Sequence, residues 1–191
     1  PVPAKDVKSL IQYAKSNPGK LTYGSGGIGS STHLAGVLFN RAASVDTIHV
    51  PFRSSGQALE SLLGNHLTMQ FGGISSARAQ IEAGKIRAIA VTGSKRDPAM
   101  PGVPSFEETG LKGVDITSIW GIHAPAGTPL AVRRVLRDAL VEVMRTPELT
   151  ARLTEQGYDV VGNAPEEHDA ETRRLVAFWR DLATKVTISA D

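Results

Sequence analysis

Between residues 21 and 91 the chain alternates four times between a short strand-forming run and a helix-spaced apolar face, with short turns between them. The strand-forming runs are residues 21–23, 47–50, 67–71 and 86–91. The intervening helices carry Leu34, Val37, Leu38 and Ala42, then Ala58, Leu59, Leu62 and Leu63, and the third ends near Gly84. Alternation of this kind builds a parallel sheet with right-handed crossovers, covered by helices, so the expected class is α/β. Upstream, Val7, Leu10, Ile11 and Ala14 recur at helical spacing until Asn17-Pro18-Gly19 stops them.

The rest of the chain reads differently. Pro98, Pro101 and Pro104 make residues 93–104 a loop. A short helix is expected at 106–109 and a strand at 115–123. Thr128 is the expected cap of a long helix with Pro129 in its first position, and Thr146-Pro147 repeats that device. A short strand at 159–161 and a helix from Pro165 to about Ala183 complete the chain. The helices show apolar faces, among them Val132, Val135, Leu136, Leu140 and Val143, then Leu175, Val176, Phe178 and Trp179. One short strand is too little sheet to cover three helices. They are expected either to coat the first sheet or to belong to a second lobe whose other half lies outside this chain.

Composition narrows the function classes. With 41% hydrophobic and 21% charged residues in 191, the chain has the means to bury a core and is not disordered in bulk. No apolar run reaches membrane-span length. Aromatic residues are 5% and no Lys/Arg stripe exists, so no nucleic-acid partner is expected. The first 117 residues carry twelve Lys/Arg against eight Asp/Glu, and the remainder nine against eleven. The basic part suits an anionic small molecule. Cysteine is absent, which removes disulfides, thiolate metal sites and thiol nucleophiles. The five histidines lack ligand spacing on one helix face, so no metal is expected. No nucleophile elbow and no loop-borne acid pair is present, and nothing in the residues demands catalysis.

The chemistry-bearing segment is Gly24-Ser25-Gly26-Gly27-Ile28-Gly29-Ser30-Ser31-Thr32-His33, between a strand and a helix. Glycines bring backbone N–H groups close to a ligand, a helix N-terminus adds unpaired donors, and Ser25, Ser30, Ser31 and Thr32 add hydroxyls. This is a cradle for a carboxylate or phosphate, with Ser25, Gly26, Gly29, Ser30, Ser31 and Thr32 as its members. Two further loops follow strands on the same side, one with Arg53 and Ser54, the other with Gly73 and Ser75. Ligands of parallel sheets bind beyond the carboxyl ends of the strands. A rival reading takes Gly24, Gly26 and Gly29 as a dinucleotide fingerprint, with Arg53 meeting the 2′-phosphate of NADP in an oxidoreductase domain. Ser30 stands where a Walker A loop needs lysine, which excludes that motif.

Several ordered segments carry a family likeness. They are Asn17-Pro18-Gly19-Lys20-Leu21-Thr22-Tyr23-Gly24-Ser25, the following Gly-Ser-Ser-x-His-Leu, and His49-Val50-Pro51-Phe52. The likeness continues through Ala83-Gly84-Lys85-Ile86-Arg87-Ala88, Pro101-Gly102-Val103-Pro104-Ser105, and Trp120-Gly121 with Ala124-Pro125-Ala126-Gly127-Thr128-Pro129. Together these resemble the Bug receptors, the TctC-like solute-binding proteins of tripartite tricarboxylate transporters. The resemblance implies a periplasmic-binding-protein-like (type II) fold closing over a small carboxylate, no cofactor, no enzymatic activity, and membrane transporter subunits as partners. It implies a ligand-binding lobe, the family's second domain, over 1–117. Residues 118–191 become a hinge strand and C-terminal helices of the other, incomplete lobe. The first part of that lobe, with its own ligand loop, is expected to precede Pro1, and the chain to be exported to the periplasm. A receptor so truncated that it no longer binds, and a homodimer formed through the C-terminal helices, are further expectations. Gly72 stands where family members often carry an acid, and Phe52 where a tyrosine is frequent.

Overall fold

The computed structural model describes residues 2–185. It divides into two compact units, the first ending at Ser118 and the second beginning at Ile119. The first unit opens with α1 (Val7–Ser16), entered through a capping box. The Ser9 amide donates to the Asp6 carboxylate at 2.7 Å, and the Asp6 amide to the Ser9 hydroxyl at 3.2 Å. Val7, Leu10 and Ala14 form its buried face.

Three short strands then alternate with helices: β1 (Thr22–Ser25), α2 (Ser31–Ala43), β2 (Ile48–Pro51), α3 (Ser55–Leu63), β3 (Met69–Gln70) and α4 (Ile74–Glu82). The strands are parallel in the order β2-β1-β3, which puts β1 in the centre. Tyr23 pairs with His49 on one side and with Met69 on the other. The ladder between β1 and β3 is only two residues long, and side chains extend it. The Thr22 amide donates to the Thr68 hydroxyl at 2.7 Å, and that hydroxyl donates to the Thr22 carbonyl at 2.6 Å. Leu21, Tyr23, Phe39, Ala58 and Leu67 fill the space between sheet and helices. Gly24 lets α3 approach the sheet, because a Cβ there would lie 2.5 Å from Leu67 Cδ1 and 3.0 Å from Ala58 Cβ.

The fourth run, residues 86–91, forms no strand ladder. Val91 makes a single bridge to Ser105. Its amide donates to the Pro104 carbonyl, and its carbonyl accepts from the Phe106 amide, both at 2.9 Å. The proline-bounded loop therefore takes the pairing that a neighbouring strand would have supplied. Residues 106–109 are turns closed onto Ser105 rather than a helix. Residues 115–123 form no strand. The Ile116 carbonyl accepts from the Thr92 hydroxyl at 2.9 Å, whereas Trp120 is 80% and Ile122 72% exposed. Alternating apolar residues report a strand-like conformation without naming a partner for its hydrogen bonds.

The second unit holds α5 (Leu130–Met144), α6 (Pro147–Glu155) and α7 (Pro165–Lys185). Thr128 does not cap α5. The helix starts one residue later than expected, with Pro129 at the capping position, and the Thr128 hydroxyl donates backwards to the Pro125 carbonyl at 2.8 Å. Thr146 does precede α6 with Pro147 in its first turn, but its hydroxyl donates to the Val143 carbonyl rather than capping the helix. Residues 159–161 are not a strand. An Arg133–Asp169 ion pair at 3.0 Å and an Arg134–Glu166 pair tie α5 to α7. Arg137 Nε donates to the Gly162 carbonyl at 3.0 Å. Within this unit Val132, Val135, Leu136, Val143, Val176 and Phe178 remain exposed. Among the described residues, no helix is long and apolar enough to cross a membrane.

Candidate functional site

Because β1, β2 and β3 run parallel, the loops that leave their carboxyl ends rise from one edge of the sheet. Each loop delivers a helix N-terminus. Ser30 caps α2, its hydroxyl accepting from the His33 amide at 3.2 Å. Ser54 caps α3, accepting from the Gln57 amide at 3.3 Å, and Gly73 precedes α4 without a side-chain cap. The first two loops touch: a Cβ on Gly26 would meet Ser55 Oγ at 2.9 Å. The Gln70 side-chain amide donates to the Ser55 carbonyl at 2.8 Å and ties β3 to the start of α3.

The glycine turn spends most of its own donors on itself. The Gly26 amide donates to the Thr32 hydroxyl at 2.9 Å, the Gly27 amide to the Ser25 hydroxyl at 3.1 Å, and the Gly29 amide to His33 Nδ1 at 3.1 Å. The Ser30 hydroxyl donates to the Gly27 carbonyl at 2.6 Å. Ser25 is fully buried, its Oγ 2.6 Å from His49 Nε2. Ser25, Gly26 and Gly29 thus build the turn from inside. Among the described residues, the amides of Ile28, Ser31 and Thr32 and the Ser31 hydroxyl have no protein partner. Arg53, Ser54, Gly73 and Ser75 are exposed on the neighbouring loops. A dinucleotide fingerprint would present its glycine amides to a pyrophosphate, and here those of Gly26 and Gly29 are already engaged.

Beneath the turn lies a stack of rings. His33 and His49 lie 3.9 Å apart at 13°, and Tyr23 stacks on His49 at 4.9 Å. Register places His49 beside Tyr23 on the adjacent strand, and His33 reaches them from the first turn of α2. The sequence spacing of the histidines carries no signal for this cluster, because it joins residues of two strands and a helix. Burial pushes the Tyr23 phenol up to about 12. It holds His33 below the ordinary imidazole range, and burial together with the His33 charge takes His49 down to about 4.

The unfolded chain, with imidazoles near 6.5, therefore binds more protons than the native one as pH falls from about 6.5 towards 4. The stability contributed by the neutral rings is complete above that window and is lost on descending through it. Urea midpoints are expected to fall between pH 7 and about 4.5 in the wild type, and to fall less in His49→Gln. An equal slope in both proteins would assign the acid sensitivity elsewhere. Among the described residues, no group of three His, Cys, Asp or Glu side chains could hold a metal ion.

The family model described as "Tripartite tricarboxylate transporter family receptor" matches residues 1–177. The chain belongs to this receptor family. A relative from Pseudomonas sp. strain P51, named "UPF0065 protein in tcbD-tcbE intergenic region", is 33% identical over 98% of this chain and 56% of its own length. A solved structure titled as a periplasmic transporter is 36% identical, with a TM-score of 0.87 over 99% of this chain and 63% of that one. An R. palustris structure with adipate is 29% identical, with a TM-score of 0.87 over 96% and 61%. The R. palustris protein MatC with bound malate is 31% identical, with a TM-score of 0.71 over 82% and 53%. The receptor chain described here therefore has the periplasmic-binding-protein-like α/β fold, a parallel-sheet lobe with part of a second. It spans about half the length of the curated relatives it matches.

Proposed function

We propose that this chain is the ligand-binding part of an extracytoplasmic receptor that captures a small carboxylate and passes it to the membrane subunits of a tripartite tricarboxylate-type transporter. On this reading it catalyses nothing and needs no cofactor. Residues 1–117 are the ligand-binding lobe, the family's second domain. Residues 118–191 are the hinge strand and helices of the other lobe. The observation that carries the reading is the convergence of three helix N-termini on one sheet edge, where the Ile28, Ser31 and Thr32 amides of the central loop have no partner among the described residues. Aligned peptide dipoles and unpaired amides favour a carboxylate there, and Arg53 supplies a cation on the next loop. Ser25, Gly26, Gly29 and Ser30 shape the turn, Ser31 and Thr32 contact the anion, and Arg53, Ser54, Gly73 and Ser75 line its far side. Adipate and malate, bound by similar proteins, indicate the class of ligand.

Calorimetric titration with adipate, malate and NADP tests this. A dicarboxylate is expected to saturate one site, and NADP to give no heat. Ser31→Glu would set a carboxylate in the turn. Two unit charges about 8 Å apart in a surface cleft repel by ~2 kcal/mol, so affinity is expected to fall about thirtyfold. Saturable NADP binding lost in Arg53→Glu, with neither acid bound, would replace the receptor reading with the dinucleotide one.

A further inference from the structure

The residues between β1 and α2 include Gly26, Gly27 and Gly29, the last two at φ +118° and +76°. Such a segment has the greatest backbone freedom a chain can have, and ordering it on binding would cost affinity. Hydrogen bonds must hold it, and the Ser30 hydroxyl supplies one of them to the Gly27 carbonyl at 2.6 Å. The Gly29 amide is fastened to His33 Nδ1 at 3.1 Å. The Gly27 amide is fastened to Ser25 Oγ at 3.1 Å, and Ser25 Oγ rests 2.6 Å from His49 Nε2. The two imidazoles lie face to face at 3.9 Å. Tyr23 backs them, and its own ring lies where a Cβ on Gly36 would sit only 2.1 Å from Cε2. Ile28 lies between the two fastened glycines, and its amide has no partner among the described residues.

We propose that the stacked His33–His49 pair is the positioning element of the ligand turn, clamping Gly27 and Gly29 so that the Ile28 amide is held ready for a ligand carboxylate. This rests on the receptor reading above. His33 must accept through Nδ1, so it carries its proton on Nε2. Burial, which disfavours its charged form, supports that state. The acceptor atom, not the ring volume, is therefore the part that matters for binding.

Two variants separate these properties. His33→Phe keeps a ring in the stack and removes the acceptor. His33→Asn removes the ring and keeps an oxygen acceptor where Nδ1 stood. Adipate and malate titrations are expected to show affinity about tenfold weaker in His33→Phe and within about threefold of wild type in His33→Asn. Wild-type affinity in His33→Phe, or equal losses in both variants, would overturn the proposal. Nitrogen NMR of the wild-type chain is expected to show the Nε2–H tautomer of His33, and a proton on Nδ1 would overturn the proposal however the variants fold. If the wild type binds neither acid, the receptor reading fails for them and the clamp is judged by amide exchange. Slow exchange at Gly29 in wild type and His33→Asn, with about tenfold faster exchange in His33→Phe, supports it. Equal exchange in all three overturns it.

Discussion

Phe39→Ala is expected to cost about 3–5 kcal/mol of stability, the range for deleting a buried aromatic ring. Phe39 is fully buried on α2, with the Phe71 ring at 5.9 Å and the Phe106 ring at 6.0 Å. It joins the helix that follows the glycine turn to the loop after β3 and to the turn at Ser105. The cavity left behind would loosen all three. Domains of this kind have only about 5–15 kcal/mol in total, so the urea midpoint should fall by about a fifth or more. Phe39→Leu should lose less than half as much, because part of the volume is refilled. A loss below about 1 kcal/mol in the alanine variant would mean that the centre of the core lies elsewhere.

Gly36→Ala is expected to destabilise as well, against the usual trend. Within a helix, alanine is ordinarily favoured over glycine by up to about 1 kcal/mol. At Gly36 the added carbon would fall 2.1 Å from Tyr23 Cε2 and 2.3 Å from Cζ. The ring has little room to retreat, since its face rests on His49 at 4.9 Å and its edge meets Phe71 at 5.8 Å. Overpacking of this kind costs about 1–3 kcal/mol. The double variant Gly36→Ala/Tyr23→Leu should recover part of the loss, with a coupling above about 1 kcal/mol between neighbours that share one space. Additive losses in urea denaturation would separate the two positions.

The alternation of residues 21–82 was legible because each signal is local. Leu34, Val37 and Leu38 mark a helix by spacing alone, and a serine at 30 or 31 announces its cap, which the structure assigns to Ser30. Residues 86–91 have the right composition for a strand, but a strand also needs a neighbour, and Pro104 and Phe106 take that place from thirteen or more residues away. The same limit governs the site. Glycines and serines between strand and helix mark the turn as a place rich in donors. Which donors stay free depends on His33 reaching back to Gly29 and on Ser25 facing His49 across the sheet. Those are three-dimensional facts. Ser25 therefore lies in the interior and not on the expected contact surface, while Ile28, absent from the expected members of the cradle, has an amide with no partner among the described residues.

Trp120, on the unladdered stretch after Ser118, has a consequence for how binding can be followed. It and Trp179 are the two tryptophans of the chain, and both fall in the second unit, whereas every loop of the candidate site falls in the first. Tryptophan emission therefore reports occupancy of the glycine turn only through the second unit. A spectral change on adding a carboxylate would show that the second unit senses the ligand, and a silent titration with measurable heat would mean that the loops fill without either indole registering it. The native fluorophores thus report on one unit and the binding heat on the other.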